Sequence, residues 1–247
     1  MIKVSIITVV YNNKSTLMDA INSVTNQDYE NIEYIVIDGA SKDGTLDLIK
    51  EAKGITKWIS EPDKGLYDAM NKGLQMASGD IVGILNSDDV YTSNTVISDV
   101  VKEVIRTRCD VIYADINYVE RDDVTHVVRS WESGDFYPKY FQDGYVPAHP
   151  TVFLSQDLSK KFQFDLTYKL AADYDFLLRL FHTPNLKLNY LSQKIINMRL
   201  GGVTSKNWKN IVKGNLEIAR SWMKNQKKLP LLTLLVKRPR IKLKQYV

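Results

Sequence analysis

Four consecutive residues, Asn86-Ser87-Asp88-Asp89, place an amide and two adjacent carboxylates directly after the apolar run 81–85. Adjacent carboxylates repel each other and cannot enter a core, so they need solvent or a cation. Their hard oxygens suit Mg²⁺ or Mn²⁺, with phosphate oxygens and water completing an octahedron. On spacing alone, an acidic turn with a capping aspartate accounts for the pair as well. Asp38 closes the run 34–37 and precedes Gly39. Its carboxylate can accept from a nucleobase imide or a ribose hydroxyl, or simply cap a helix. Tyr11 follows the run 4–10 and can lie against a base face or be half-buried. Gly39 and Gly44 let the intervening loop turn tightly.

The second half offers one more carboxylate of interest. Asp173 precedes a helical pattern over 174–181, where the positive helix end favours its ionised form. It suits a general base or a plain N-cap. Asp175 and Arg179 are spaced i, i+4 and read as an ion pair. His149, between Ala148 and Pro150, suits a diphosphate or metal contact and equally a packed loop. Trp131, Tyr137, Tyr140, Phe141 and Tyr145 form either a sugar-stacking wall or loop core, with core favoured.

The elements that must position these groups alternate. Val4 to Val10 is a continuous β-branched run, expected of a strand buried on both faces. Ser15 is placed to cap a helix carrying Leu17, Ala20, Ile21 and Val24 on one face. Strands over 34–37, 56–60 and 81–85 and helices over 45–52 and 66–76 follow. This pattern predicts an α/β fold, a mostly parallel sheet with helices on both faces. Ligands of such sheets bind beyond the carboxyl ends of the strands, at the switch point. Tyr11-Asn12-Asn13, Asp38-Gly39 and the 86–89 cluster all fall at such ends and so share one rim. Beyond them the pattern gives a helix over 93–107 and strands over 111–115, 127–131 and 149–154. A last long helix is expected over 207–226. The expected organisation is a catalytic domain over 1–205 and a helical basic extension over 206–247.

Composition excludes several classes. The chain has 247 residues, 44% hydrophobic and 25% charged, ordinary for a globular protein able to bury its own core. One cysteine, Cys109, rules out an internal disulfide framework and suits a reducing compartment. Three histidines and no Cys/His cluster argue against zinc. Met1-Ile2-Lys3 enters a strand pattern at once, without a signal-peptide pattern, and no apolar run has the length of a membrane span. These features predict a cytoplasmic location. Every charge from Lys224 onward is basic: Lys227, Lys228, Lys237, Arg238, Arg240, Lys242 and Lys244 follow it. That tail is either a solvated end or a contact with the inner, anionic membrane face. It lacks the interleaved stacking platform of a nucleic-acid binder, so no nucleic-acid partner is expected.

Several ordered stretches resemble family 2 glycosyltransferases of the bacterial polysaccharide and O-antigen branch. They are Ser5 to Asn12, Ile35 to Thr45, Ser60 to Gly73, Ala77 to Asp80 and Leu85 to Asp89. In the second half come His149 to Phe153, Ala171 to Leu180, and Gly201-Gly202-Val203-Thr204-Ser205. The resemblance covers residues 2 to 205 and implies a GT-A (Rossmann-like) fold and an inverting reaction. It implies a nucleotide diphosphate sugar as donor, UDP favoured, and a divalent Mn²⁺ or Mg²⁺ cofactor. The implied acceptor is a hydroxyl of a glycan or polyprenyl-diphosphate-linked glycan. Thr8, Tyr11 and Asp38 fall on nucleoside positions, and Lys64, Asp68 and Asn71 near the sugar and ribose pocket. Asp89 falls on the last aspartate of the metal motif, with Ser87 and Asp88 between it and Asn86, where the family usually has an acid. Asp88 supports the metal and the donor. Asp173 falls on the second acidic position of the presumed base motif, whose first position is Ala172 here. A nucleotidyltransferase would carry a Gly-rich phosphate loop after the first strand, where this chain has Tyr-Asn-Asn-Lys-Ser-Thr. Asn86 and Ala172 keep a non-catalytic nucleotide-sugar-binding protein as the other alternative.

Overall fold

The computed structural model describes residues 1–201, 208–225, 233–238 and 240–241. Its first half follows the burial period of the sequence. β1 (Val4–Val10) is buried at every position and pairs in parallel with β2 (Ile32–Asp38) on one side. β2 pairs in parallel with β3 (Lys57–Ser60), and β4 (Ile81–Ile84) pairs in parallel on the other side of β1. Helix α1 (Lys14–Thr25) and α2 (Thr45–Glu51) pack Leu17, Ile21 and Ile49 against Val4, Ile6 and Val36. Helix α3 (Leu66–Met76) packs Ala69, Met70 and Leu74 on the opposite face, against Ile7, Val9 and Ile35. The chain leaves β1 through α1 on one face and enters β4 through α3 on the other, so the order of connections reverses between these two neighbouring strands, where such sheets open a crevice. Ser15 lies inside α1 and does not cap it. The helix starts one residue after Asn13, whose side-chain amide donates to Thr16 Oγ1 at 2.7 Å.

The second half extends the same sheet with mixed pairing. Its strand order is β3-β2-β1-β4-β8-β6-β9-β5, with β7 on β6. After the short β5 (Val90–Tyr91) and α4 (Val96–Thr107), β6 runs Val111–Val119, four residues beyond its expected end. β7 (Val127–Trp131) pairs with it antiparallel. The expected strand over 149–154 is instead a 3₁₀ turn, His149–Thr151, followed by β8 (Phe153–Ser155). Pro150 has no N–H to give a ladder, which favours the turn. A short helix α5 (Gln156–Lys161) follows. α6 (Ala172–Phe181) begins two residues earlier than expected, so Asp173 lies within its first turn and Ala171 is the cap residue. β9 (Leu188–Arg199), absent from the sequence reading, pairs in parallel with β6 and antiparallel with β5.

Helix α7 (Trp208–Lys224) is fastened to α6 by buried polar contacts. Glu217 accepts from the amides of Lys169, Leu170 and Ala171, just ahead of α6. This places an anion at the positive end of that helix. Ser221 donates to Asp175 at 2.8 Å, and Trp222 Nε1 to the Tyr174 hydroxyl at 2.9 Å. Gly202 to Ser205 of the glycine-containing motif, and Lys227, Lys228, Lys242 and Lys244 of the tail, lie outside the described residues.

Candidate active site

The strand ends are knitted together by their own loops. After β1, the Asn12 amide donates to Ser41 Oγ at 2.8 Å, and the Lys42 amide returns a bond to Asn12 Oδ1 at 2.8 Å. Asn12 and Ala40 both hold positive φ, 47° and 61°. Strained non-glycine backbone of this kind is held only where its surroundings determine it. Tyr11 stands 64% exposed beside Gly39. A Cβ at Gly39 would overlap Asp63 Oδ2 and come within 3.2 Å of the Tyr11 ring, so only glycine lets this carboxylate settle there. Asp63 Oδ1 accepts the Gly65 amide at 2.7 Å, while Oδ2 accepts no hydrogen bond among the described residues. Asp38 lies at the end of β2 but is fully buried. It accepts the Ser60 hydroxyl at 2.6 Å and the Ser41 amide at 3.2 Å.

Across the crevice, the Asn13 side chain donates to Ser87 Oγ at 3.0 Å, and Thr16 Oγ1 to the Ser87 carbonyl at 3.0 Å. The 86–89 turn is thereby fixed to the loop after β1. Asp88 is half-buried, and its carboxylate has no hydrogen-bond or ion-pair partner among the described residues. Asp89 is 1% exposed. One of its oxygens takes the Asn86 amide at 2.8 Å and the other the Arg199 backbone N–H at 3.3 Å. Burial first, and the Asp88 carboxylate second, push the Asp89 carboxyl up from 3.8 to about 8. Such a shift marks negative charge that the fold concentrates without neutralising.

This donor set can be tested against a divalent ion. Two adjacent carboxylates, one open and one made costly to ionise by burial and by its neighbour, suit a hard cation. Among the described residues no group of three or more His, Cys, Asp or Glu forms a complete cage. The residues therefore fit a metal that Asp88 and Asp89 share with ligand oxygens, as Mg²⁺ and Mn²⁺ are held on phosphates, and do not fit a closed structural site.

Asp173 is placed from the other half of the chain. Its Oδ1 accepts its neighbour's amide, Tyr174 N, at 2.8 Å and the Tyr67 hydroxyl from α3 at 3.3 Å. Its Oδ2 lies 3.8 Å from His149 Nδ1 and accepts no hydrogen bond among the described residues. Burial lowers the His149 pKa against the opposing pull of Asp173, which keeps the ring neutral at pH 7. The turn that carries His149 packs against β4, β6, β9 and α6. A small apolar cavity behind His149, lined by Leu74, Val82, Ile84, Phe164 and Phe176, belongs to the core.

Other expected residues sit around this centre in supporting positions. Thr8 is fully buried below the rim, with its hydroxyl 3.1 Å from that of Tyr34. Asn71 clamps the Phe164 backbone, donating to its carbonyl at 2.9 Å and accepting its amide at 2.8 Å. Asp68 reaches back to the Lys64 amide at 2.9 Å, which shapes the turn into α3 and leaves the Lys64 side chain exposed. Arg179 pairs with Asp175 at 2.7 Å. Trp131, Tyr140 and Phe141 are core, whereas Tyr137 and Tyr145 reach the surface.

Three residues escaped the sequence reading. Arg199 is 7% exposed and braces the acidic turn, its Nη1 donating to the Asp88 carbonyl at 2.6 Å and its Nη2 to Asp19. An arginine two residues before Gly201 was its one sequence signal. Tyr67 and Asp63 both lie in the quoted stretch Ser60 to Gly73, but no spacing rule shows that one meets Asp173 and the other Tyr11.

With this geometry in place, comparison with known proteins is informative. The profile of glycosyl transferase family 2 matches residues 5–157. An uncharacterised glycosyltransferase of Mycobacterium tuberculosis is 34% identical over 180 residues, covering 71% of this chain and 68% of its own length. A PGL/p-HBAD biosynthesis glycosyltransferase of Mycobacterium bovis is 26% identical over 197 residues, 76% of this chain and 73% of its own. S. aureus TarS 1-349 in complex with UDP-GlcNAc superposes with a TM-score of 0.68 at 18% identity, covering 97% of this chain and 69% of that one. The mannosyltransferase PcManGT from Pyrobaculum calidifontis in complex with GDP-Man and Mn²⁺ gives 0.68 at 16%, covering 98% and 73%. The two structural likenesses show the fold, a GT-A, Rossmann-like mixed sheet.

Proposed function

We propose, since this chain belongs to glycosyl transferase family 2 and is a glycosyltransferase, that it moves a hexosyl unit from a nucleotide diphosphate sugar, UDP favoured, with inversion. The proposed acceptor is a hydroxyl of a glycan or lipid-linked glycan in surface polysaccharide assembly, O-antigen included. One observation carries the reading. Asp173, from the second half of the chain, meets the Tyr67 hydroxyl of α3 with one carboxylate oxygen and lies 3.8 Å from His149 with the other, which supports placing it beside the donor.

Roles follow from exposure and free hydrogen-bonding capacity. Tyr11 presents a ring face to the nucleobase, and Asp63 Oδ2 offers an open acceptor beside Gly39, while Asp38 is engaged by Ser41 and Ser60 at the end of β2. Asp88 and Asp89 would hold the divalent metal, which would neutralise the negative charge developing on the leaving diphosphate. Asp173 Oδ2 takes the acceptor hydroxyl proton as that oxygen forms its bond to C1 and the C1–diphosphate bond breaks. Tyr67 and the Tyr174 amide fix the other oxygen and leave Oδ2 aimed at the acceptor. His149, neutral, keeps a positive charge away from that base.

The test is release of nucleoside diphosphate across UDP-, GDP- and dTDP-sugars with Mn²⁺ present. Asp173→Asn should lower kcat about 10²–10⁴-fold with donor affinity retained. In the same assay Asp63→Asn should raise KM and spare kcat. Wild-type turnover by Asp173→Asn would remove the base from the mechanism.

A lipid-linked acceptor would draw the enzyme to an anionic membrane surface. No described helix is long and apolar enough to cross a membrane. The outer face of α7 exposes Ile211, Val212, Leu216 and Met223 ahead of the basic tail, which suits a peripheral contact. Sedimentation with phosphatidylglycerol vesicles reads that contact, and a chain left in the supernatant lacks it.

A further inference from the structure

Part of the basic tail returns to the base. Thr233–Lys237 forms a short helical segment. The Thr233 hydroxyl bonds to the Gln142 carbonyl, and Lys237 Nζ pairs with Asp143 at 2.6 Å. The next residue, Arg238, lies against Gly144, where φ is +98° and a Cβ would come within 3.2 Å of both the Arg238 amide and its Cγ. Ile241 meets the same glycine and packs on the apolar layer under α1. The segment is thus tied down on both sides of Arg238.

Arg238 stands out by what it does not touch. Its guanidinium lies 5.0 Å over the ring of Tyr174, the residue after Asp173. Its Nη1 is buried and has no hydrogen-bond partner among the described residues. No carboxylate forms an ion pair with it among the described residues. Burial pulls its pKa down, and the charges of Tyr174 and Asp173 oppose that pull. An arginine so placed without a partner is costly. Arg199, the other arginine near the site, shows the satisfied alternative, with bonds to the Arg121 carbonyl, the Asp88 carbonyl and Asp19.

We propose that Arg238 is a phosphate-binding residue, and that the C-terminal strap thereby supplies part of the active site. The planar fork of a guanidinium matches two phosphate oxygens, which a lysine does as a point charge only. The proposal rests on the glycosyltransferase reading, whose substrates carry phosphate in two places. These are the diphosphate of the donor and the phosphate of a lipid-linked acceptor.

The experiment uses the full chain and two probes. One is inorganic pyrophosphate with Mn²⁺ present. The other is phosphatidylcholine vesicles with and without polyprenyl phosphate. Arg238→Met, which keeps length over Tyr174 and loses charge, should weaken one of them about 10- to 100-fold at unchanged melting temperature. Arg238→Lys should recover part of the loss. A loss on pyrophosphate assigns Arg238 to the donor, and a loss on the vesicles to the acceptor. Should Arg238→Met lower the melting temperature, Arg238→Gln replaces it. Unchanged binding of both probes, or a wild-type chain that binds neither, overturns the assignment. Pyrophosphate carries no sugar, so its binding is read whether or not Asp173 proves to be the base.

Discussion

Glu33 and Asp89 are buried carboxylates at opposite ends of the parallel half of the sheet, and the fold treats them in opposite ways. At the amino-terminal end, Glu33 is 1% exposed and is answered from every side. Lys3 and Lys57 pair with it at 3.0 and 2.8 Å, the hydroxyls of Ser5 and Ser78 donate at 2.6 and 2.7 Å, and the Ser78 amide at 2.8 Å. The Lys57, Ser5 and Ser78 contacts overcome its desolvation, and its pKa falls well below the ordinary 4.5. At the carboxyl end, Asp89 is as deeply buried but has one side-chain amide, one long backbone bond and a second carboxylate as its neighbours. The first site is complete in the folded chain. On the proposed function, the second would be completed by a cation that the substrate brings.

The largest effect expected from this contrast is at Glu33. Glu33→Ala strands two serine hydroxyls, a backbone N–H and two lysines, and should cost about 3 kcal/mol or more in urea unfolding. Pyrophosphate binding with Mn²⁺, at the far end of the sheet, should stay as in the parent. The pH sign follows from the depressed pKa. Glu33 contributes its stability above the ordinary 4.5 and loses it as pH falls through its lower folded value. An unfolding free energy that did not steepen towards acid in the parent relative to Glu33→Ala would erase the distinction between the two ends.

The same contrast explains what could be read from the sequence. β1, β2 and β4 are near-continuous apolar runs because both faces are covered, and α3 shows its one-sided period, so β1 and α3 were legible down to their ends and β2 and β4 to within two residues. The rim followed from topology alone. β9 was not legible, because its residues Leu188–Arg199 mix half-buried polar and apolar positions and take their register from β6. With β9 went Arg199, whose bond to Asp88 spans 111 residues. Asp173 was singled out in the sequence, but not Tyr67, whose hydroxyl reaches it from 106 residues away. Local pattern reports burial; it does not report which distant hydroxyl ends up within reach of a carboxylate. Asn86 is instructive in another way. A departure from the family's acid read as a change in metal binding, yet here its amide holds an oxygen of Asp89.

The smaller expected effect is at Asp89, and its sign is reversed. Its folded pKa is raised from 3.8 to about 8, so in the metal-free chain its contribution is complete below 3.8 and drains away as pH rises through about 8. Asp89→Asn removes the ionisation and keeps the shape. It should change stability near neutrality by less than about 1 kcal/mol, since a neutral isostere replaces a group the fold already holds largely protonated. It should also flatten the decline of metal-free stability towards alkaline pH. Mn²⁺ should raise the melting temperature of the parent more at pH above 8 than at pH near 6, because binding below the folded pKa must first release a proton. In Asp89→Asn that pH dependence should vanish. If melting curves of the two chains run parallel across this range with and without Mn²⁺, then Asp89 is as self-sufficient as Glu33, and the carboxyl end of the sheet holds its charge without help from a substrate-borne cation.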